Sequence, residues 1–168
     1  PYSYLDALLQ PKLIFLGSND PFWPVDSSNL YWGDILGEKY LTIVPNAGHD
    51  LNADIFRLVG GLKALHLRVA SGQAMPKMSW EFAEQDGKHI LRIKTDRQPR
   101  EAVAWIANSD TKDFRNATWR ATRIDRVNEH YQISIAPEAG KYIGIFGDLT
   151  FEGSPPLHLS TNVKIVFP

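Results

Sequence analysis

The chain has 168 residues, 43% of them hydrophobic and 11% aromatic, which is enough apolar material for a buried core and argues against disorder. Its 18 basic and 19 acidic residues leave a net charge of −1, so the clustered basic surplus expected of a polyanion binder is missing and nucleic acid is not an expected partner. Cysteine is absent, which removes disulfides, thiolate nucleophiles and cysteine-ligated zinc, and no apolar run approaches the roughly 20 residues of a transmembrane segment.

In chain order, Tyr4, Leu5, Leu8 and Leu9 follow a helical spacing too short to stand alone and read as the tail of a longer element. The opening residues have neither a basic start nor a long apolar core, so no signal peptide is visible. Lys12–Leu16, bounded by Pro11 and Gly17, suits a strand buried on both faces of a parallel sheet. Asp26-Ser27-Ser28 offers caps for a helix reaching about Leu36, with Gly37 to end it, and Tyr40–Val44 reads as a second buried strand. From Asp54 onward, Ile55, Leu58, Val59, Leu62, Leu65 and Val69 recur at intervals of three and four, the pattern of an amphipathic helix that stops near Ser71-Gly72. Gly60 and Gly61 interrupt it at a cost of about 1 kcal/mol each, which calls for close packing on the sheet or a kink.

Beyond Pro76 the period becomes two. Strands are expected around Met78–Phe82, Lys88–Thr95, Ala102–Ala107, Thr118–Ile124, Tyr131–Ile135, Tyr142–Phe146, Leu157–Ser160 and Val163–Phe167, separated by turn signals such as Asp86-Gly87 and Gly153-Ser-Pro-Pro156. The expected architecture is therefore α/β plus all-β. Residues 1–75 form the C-terminal portion of an α/β-hydrolase-like parallel sheet, and residues 76–168 form a β-sandwich of the immunoglobulin or fibronectin III kind. Two strands and their helices cannot cover both faces of such a sheet, so the first segment is expected to expose an apolar edge unless another polypeptide completes it.

The chemistry points to two loops. Gly17-Ser-Asn-Asp20 and Val44-Pro-Asn-Ala-Gly-His49 place an acid and a histidine after successive strands, in the order an α/β-hydrolase uses for its last two catalytic residues. Asp20 is the candidate that orients the imidazole and His49 the candidate base, although singly each is also an ordinary turn or loop residue. No Gly-x-Ser-x-Gly nucleophile motif occurs. Asp26 is a rival acid that capping explains better, and Asp50 with Asn52 is expected to cap the following helix. Phe22 and Trp23, with Trp32 nearby, are candidate walls of an apolar substrate pocket, core packing being the plain alternative. His66, His89, His130 and His158 read as structural or exposed; no metal-ligand spacing is present, and no metal or cofactor is called for.

Pro11-Lys-Leu-Ile, Asn19-Asp20-Pro-Phe-Trp-Pro, Lys39-Tyr-Leu, Val44-Pro-Asn-Ala-Gly-His49, and Thr111-Lys-Asp-Phe-Arg115 with Trp119 together resemble the PhoPQ-activated pathogenicity-related protein family over nearly the whole chain. The resemblance implies an α/β-hydrolase-like fold with a β-sandwich-like tail, Asp20 as acid and His49 as base, and an exported, periplasmic or secreted, protein. On that footing the chain is expected to be the C-terminal part of a serine hydrolase acting on ester, amide or peptide bonds. Its nucleophile would lie in a missing upstream segment or a partner chain, so the chain alone would be inactive. The alternative is a secreted or surface binding or signalling protein with a degenerate hydrolase fold.

Overall fold

A computed structural model describes residues 2–168. Tyr2–Ala7 form a 3₁₀ turn, after which the chain enters strand β1, Lys12–Gly17. Strand β2, Lys39–Val44, runs parallel to it, with Lys12 opposite Lys39 and Gly17 opposite Val44. The two strands therefore end level, and the loops bearing Asp20 and His49 leave from the same edge.

Between these strands no α-helix forms. Ser27–Leu30 is a 3₁₀ turn and the chain continues in turns toward Gly37. Gly33 and Asp34 are poor helix formers, and the Lys39 ammonium donates to the carbonyls of Trp32 and Ile35. Asp26 heads the 3₁₀ turn without a side-chain capping bond. Helix α1, Ile55–Ser71, begins later than Asp50 would place it: Leu51 is left-handed, a 3₁₀ turn covers Asn52–Asp54, and Asp54 is the cap, accepting from the Arg57 N–H at 3.1 Å. Asp50 instead accepts from the Asn52 amide at 2.6 Å. No helix among the described residues is long and apolar enough to cross a membrane.

The face that α1 turns to the protein is not its apolar stripe. Arg57, Gly60 and Gly61 are buried, whereas Ile55, Phe56, Val59, Leu62 and Val69 are exposed. Close approach explains the two glycines: a Cβ at Gly61 would lie 2.8 Å from both Leu13 Cδ2 and Phe15 Cζ, and one at Gly60 would collide with the Pro156 carbonyl. The apolar edge expected of the first segment is not at the free side of β2, which the antiparallel sheet covers; the exposed apolar residues of this segment include Ile55, Phe56, Val59, Leu62 and Val69 of α1.

The remaining strands are β3 Met78–Gln85, β4 Lys88–Thr95, β5 Glu101–Ser109, β6 Arg120–Arg123, β7 Asp125–Val127, β8 His130–Ile135, β9 Tyr142–Phe151, β10 Leu157–Ser160 and β11 Lys164–Val166. They form a four-stranded sheet ordered β3-β4-β8-β7 and a five-stranded sheet ordered β10-β9-β5-β6, with β11 beside β10 along the length of β9. The single strand expected over 118–124 divides at buried Ile124, with β6 pairing β5 in one sheet and β7 pairing β8 in the other.

These pairings overturn the expected α/β-hydrolase-like parallel sheet. Parallel pairing among the described residues is confined to β1 and β2, every other ladder is antiparallel, and the molecule is mainly β with one α-helix. The physical reason lies at the free edge of β2. There the Ile43 N–H donates to the Ser160 hydroxyl at 3.0 Å and the Thr42 hydroxyl donates to the His158 carbonyl at 2.6 Å. The Ser160 side chain and the His158 backbone of the antiparallel sheet thus meet an edge that a further parallel strand would otherwise occupy.

Two cores result. One lies between the sandwich sheets, around Leu91, Ile93, Ala104, Leu149 and Leu159, and reaches Leu13 and Leu65. The other joins Leu41 and Ile43 to Phe114, Trp119, Phe146 and Val163. A polar joint crosses between them: Arg57 Nη1 donates to Asp148 Oδ2 at 2.5 Å and to the Ile43 carbonyl at 3.3 Å, while Ser160 Oγ donates to Asp148 Oδ2 at 2.9 Å and His158 Nδ1 lies 3.1 Å from Asp148 Oδ1. Burial works against the Asp148 charge, but the Arg57 guanidinium and the His158 and Ser160 contacts outweigh it and hold the carboxyl below its usual range.

A carboxyl depressed in the folded state contributes stability that is fully present above the ordinary carboxylate pKa of about 4 and is lost as pH falls through its folded value. Arg57→Ala leaves a buried charge unpaired and is expected to cost about 3–5 kcal/mol at neutral pH. Urea unfolding at pH 7 and at pH values stepped down below 4 checks both points: the deficit of the variant should be largest at pH 7 and should shrink on acidification.

Candidate acid–base site

Asp20 and His49 meet. The Asp20 Oδ2 atom lies 2.8 Å from His49 Nδ1, bridging 29 residues of sequence. The other oxygen, Oδ1, accepts from the N–H groups of Phe22 at 2.8 Å and Trp23 at 3.1 Å, so the turn role and the histidine role of Asp20 belong to different oxygens. The acid side chain is 6% exposed and the imidazole 57% exposed. Burial opposes ionisation of Asp20, but the hydrogen bonds from His49, Phe22 and Trp23 together hold its carboxyl below the usual range. An ionised carboxylate only accepts, so Nδ1 carries the hydrogen of this bond. Asp20 is the only hydrogen-bond partner of the His49 ring among the described residues.

The loops themselves are locked together by groups that the sequence did not mark. Buried Ser18 accepts from the Asn46 N–H at 2.7 Å and donates to Asn19 Oδ1 at 2.6 Å, while the Asn19 N–H donates to the Ala47 carbonyl at 2.9 Å. The loops pack so closely that a Cβ at Gly17 would lie 2.5 Å from the Ala47 carbonyl oxygen. Two amides then tie both loops to the stretch before β6. Asn19 Nδ2 donates to the carbonyls of Phe114, Arg115 and Ala117 at 3.2, 3.0 and 2.7 Å. Asn46, left-handed at φ 57°, accepts from the Trp119 N–H at 2.8 Å and donates to the Trp119 carbonyl at 3.0 Å. The available signals were an asparagine beside the acid and another in the turn before the histidine.

Other candidates separate. Phe22 packs its ring edge-on against His49, with centroids 5.1 Å apart, and lines a cavity with Asp20. Trp23 is 59% exposed and lies outside that lining. Trp32 stacks at a tilt with Trp80, 5.8 Å away, on a different cavity. Asp26 makes no hydrogen bond to His49 among the described residues. His158, read as structural or exposed, belongs to the buried Asp148 joint.

The family model described as PhoPQ-activated pathogenicity-related protein matches residues 1–115, a span that includes both members of the acid–base pair. The chain belongs to the PhoPQ-activated pathogenicity-related protein family. The chain is also 26% identical over 128 residues to autocrine proliferation repressor protein A of Dictyostelium discoideum, covering 70% of this chain and 26% of that protein. It thus spans about a quarter of the length of that protein. Among solved structures it is similar to a family 56 carbohydrate-binding module, a β-1,3-glucan binding domain, at TM-score 0.39 and 10% identity over 54% of this chain and 99% of that one. It is similar, too, to pectate lyase PelI from Erwinia chrysanthemi at TM-score 0.32 and 10% identity, over 54% and 27% of the respective chains.

Asn19→Ala removes the donor shared by three carbonyls and is expected to cost about 1–3 kcal/mol, the penalty of leaving partly buried acceptors unpaired. Thermal unfolding measures that loss. Imidazole ¹⁵N shifts should show the Nδ1–H tautomer of His49 in the parent chain and mixed tautomers once Asp20 is replaced by Ala.

Proposed function

We propose that the chain supplies the acid–base pair of a hydrolase acting on ester, amide or peptide bonds, in which His49 takes the proton of a nucleophilic serine hydroxyl and Asp20 orients and stabilises the imidazolium. The observation that carries this reading is the 2.8 Å contact between a buried, ionised Asp20 and the Nδ1 of a half-exposed histidine whose Nε2 is free. A histidine so held presents a lone pair to an incoming hydroxyl, takes up its proton as the hydroxyl attacks a carbonyl, and returns it to the leaving group. No serine hydroxyl bonds to Nε2 among the described residues, so in this reading the nucleophile comes from outside them. The two level strand ends make a pair of loops that another polypeptide can approach from one side.

Fluorophosphonate labelling of a longer family protein that carries this segment tests the assignment. Labelling and ester turnover should fall by about 10³-fold or more with His49→Ala, and Asp20→Asn should lower turnover by up to about 10⁴-fold by stranding the wrong tautomer. Undiminished labelling and turnover in both variants would overturn it.

A further inference from the structure

Beside Asp20 lies a cavity of 380 Å³ whose two sides come from distant parts of the chain. Pro21, Phe22, Pro24 and Val25 of the acid loop form one side, and Lys112 and Phe114 of the β5–β6 connection form the other. The three bonds from the Asn19 amide hold these sides together, so the cavity is a built feature of the same clamp that holds the acid. We infer that this cavity receives an uncharged apolar group of the substrate, an aryl or branched alkyl group, and that the sandwich is thereby one wall of the substrate site. The inference rests on the acid–base reading and names the substrate class for it.

Continuity with the pair argues for this occupant. Asp20 and Phe22 line the cavity, and the Phe22 ring also touches the His49 ring, so one side chain separates the apolar space from the imidazole. The lining chemistry argues for the absence of charge on the guest. Arg115 is committed to Asp113, with Nη2 to Oδ2 at 2.6 Å and Nε to Oδ1 at 3.0 Å, and that contact holds the Asp113 carboxyl down to about 2, so the pair is internally neutral. The Lys112 ammonium sits 4.7 Å over the Phe167 ring, drawn away toward the chain terminus. The polar groups of Ser18 and Asp20 are likewise engaged, with Asn19 and Asn46 and with His49, Phe22 and Trp23, which leaves Pro21, Phe22, Pro24, Val25 and Phe114 as the surface offered to an apolar guest. Its volume falls within the range of roughly 300–1,000 Å³ for small-molecule sites and exceeds the roughly 150 Å³ that holds a benzene ring.

The test uses this chain itself and needs no turnover. Titration with 3-phenylpropionamide, followed by NMR, should give saturable shifts and intermolecular contacts at Phe22, Val25 and Phe114, with propionamide binding at least 10-fold more weakly. Phe22→Ala should weaken the aryl probe at least 5-fold; its side chain is 71% exposed, so the fold is retained, which near-UV circular dichroism verifies. Binding of both probes alike, no saturable binding, or shifts located on the exposed face of α1 would overturn the inference. Aryl binding at these residues together with dyad-independent fluorophosphonate labelling would uphold the cavity as an aryl site and overturn the acid–base reading. Dyad-dependent labelling without aryl binding would do the reverse.

Discussion

Two asparagine amides carry the constraint on which the site depends. A two-stranded parallel pair with one helix is too small to hold its loops in one geometry, and among the described residues β1 and β2 pair as strands with each other alone. Asn19 and Asn46 reach from the loops after these strands to the backbone of residues 114–119, where five side-chain bonds replace the further strands of a larger sheet. The position of His49 relative to Asp20 is therefore a property of the parallel pair and the sandwich together. On the opposite side of β2, Arg57 and Asp148 make the matching joint, so the segment is held from both flanks.

Two aspartate–histidine contacts occur among the described residues, and their surroundings explain why only one is a candidate for chemistry. Asp148 meets His158 at 3.1 Å, but Arg57 already neutralises that carboxylate, and the imidazole is 16% exposed with its Nδ1 shared between Asp148 and the Thr150 hydroxyl. Among the described residues Asp20 pairs with no lysine or arginine, and its second oxygen is occupied by two backbone N–H groups that fix its direction without cancelling its charge. The first arrangement is closed on itself. The second leaves an imidazole side chain that is 57% exposed.

Helix α1 illustrates how sequence periodicity identifies an element while misplacing its face. The spacing of Ile55, Val59, Leu62 and Val69 marks a helix, and a helix forms, but the side against β1 is the one bearing Gly60, Gly61 and Arg57. Interaxial closeness, which only glycine permits beside Leu13, Phe15 and the Pro156 carbonyl, decided the orientation. The buried arginine on that face was the discordant sign, a charge whose partner lies 91 residues away. Similarly, the stretch 26–36 had caps and apolar residues suited to a helix, yet Lys39 takes its carbonyls from outside the segment.

By itself the sequence determined much of the local structure and the pairing of functions: strands where apolar runs end in Gly17 and Val44, most of the strands beyond residue 76, and an acid and a histidine at matching loop positions. These are legible because hydrophobic period and turn residues act over a few positions. Tertiary structure alone decided that the parallel sheet among the described residues has two strands, that α1 presents Ile55, Val59, Leu62 and Val69 outward, and that a loop of the sandwich walls the acid. Each depends on groups about 90 or more residues apart, Asn19 with Ala117, Arg57 with Asp148 and Ile43 with Ser160, whose hydrogen bonds have no periodic signature because their energy comes from satisfying particular buried polar atoms.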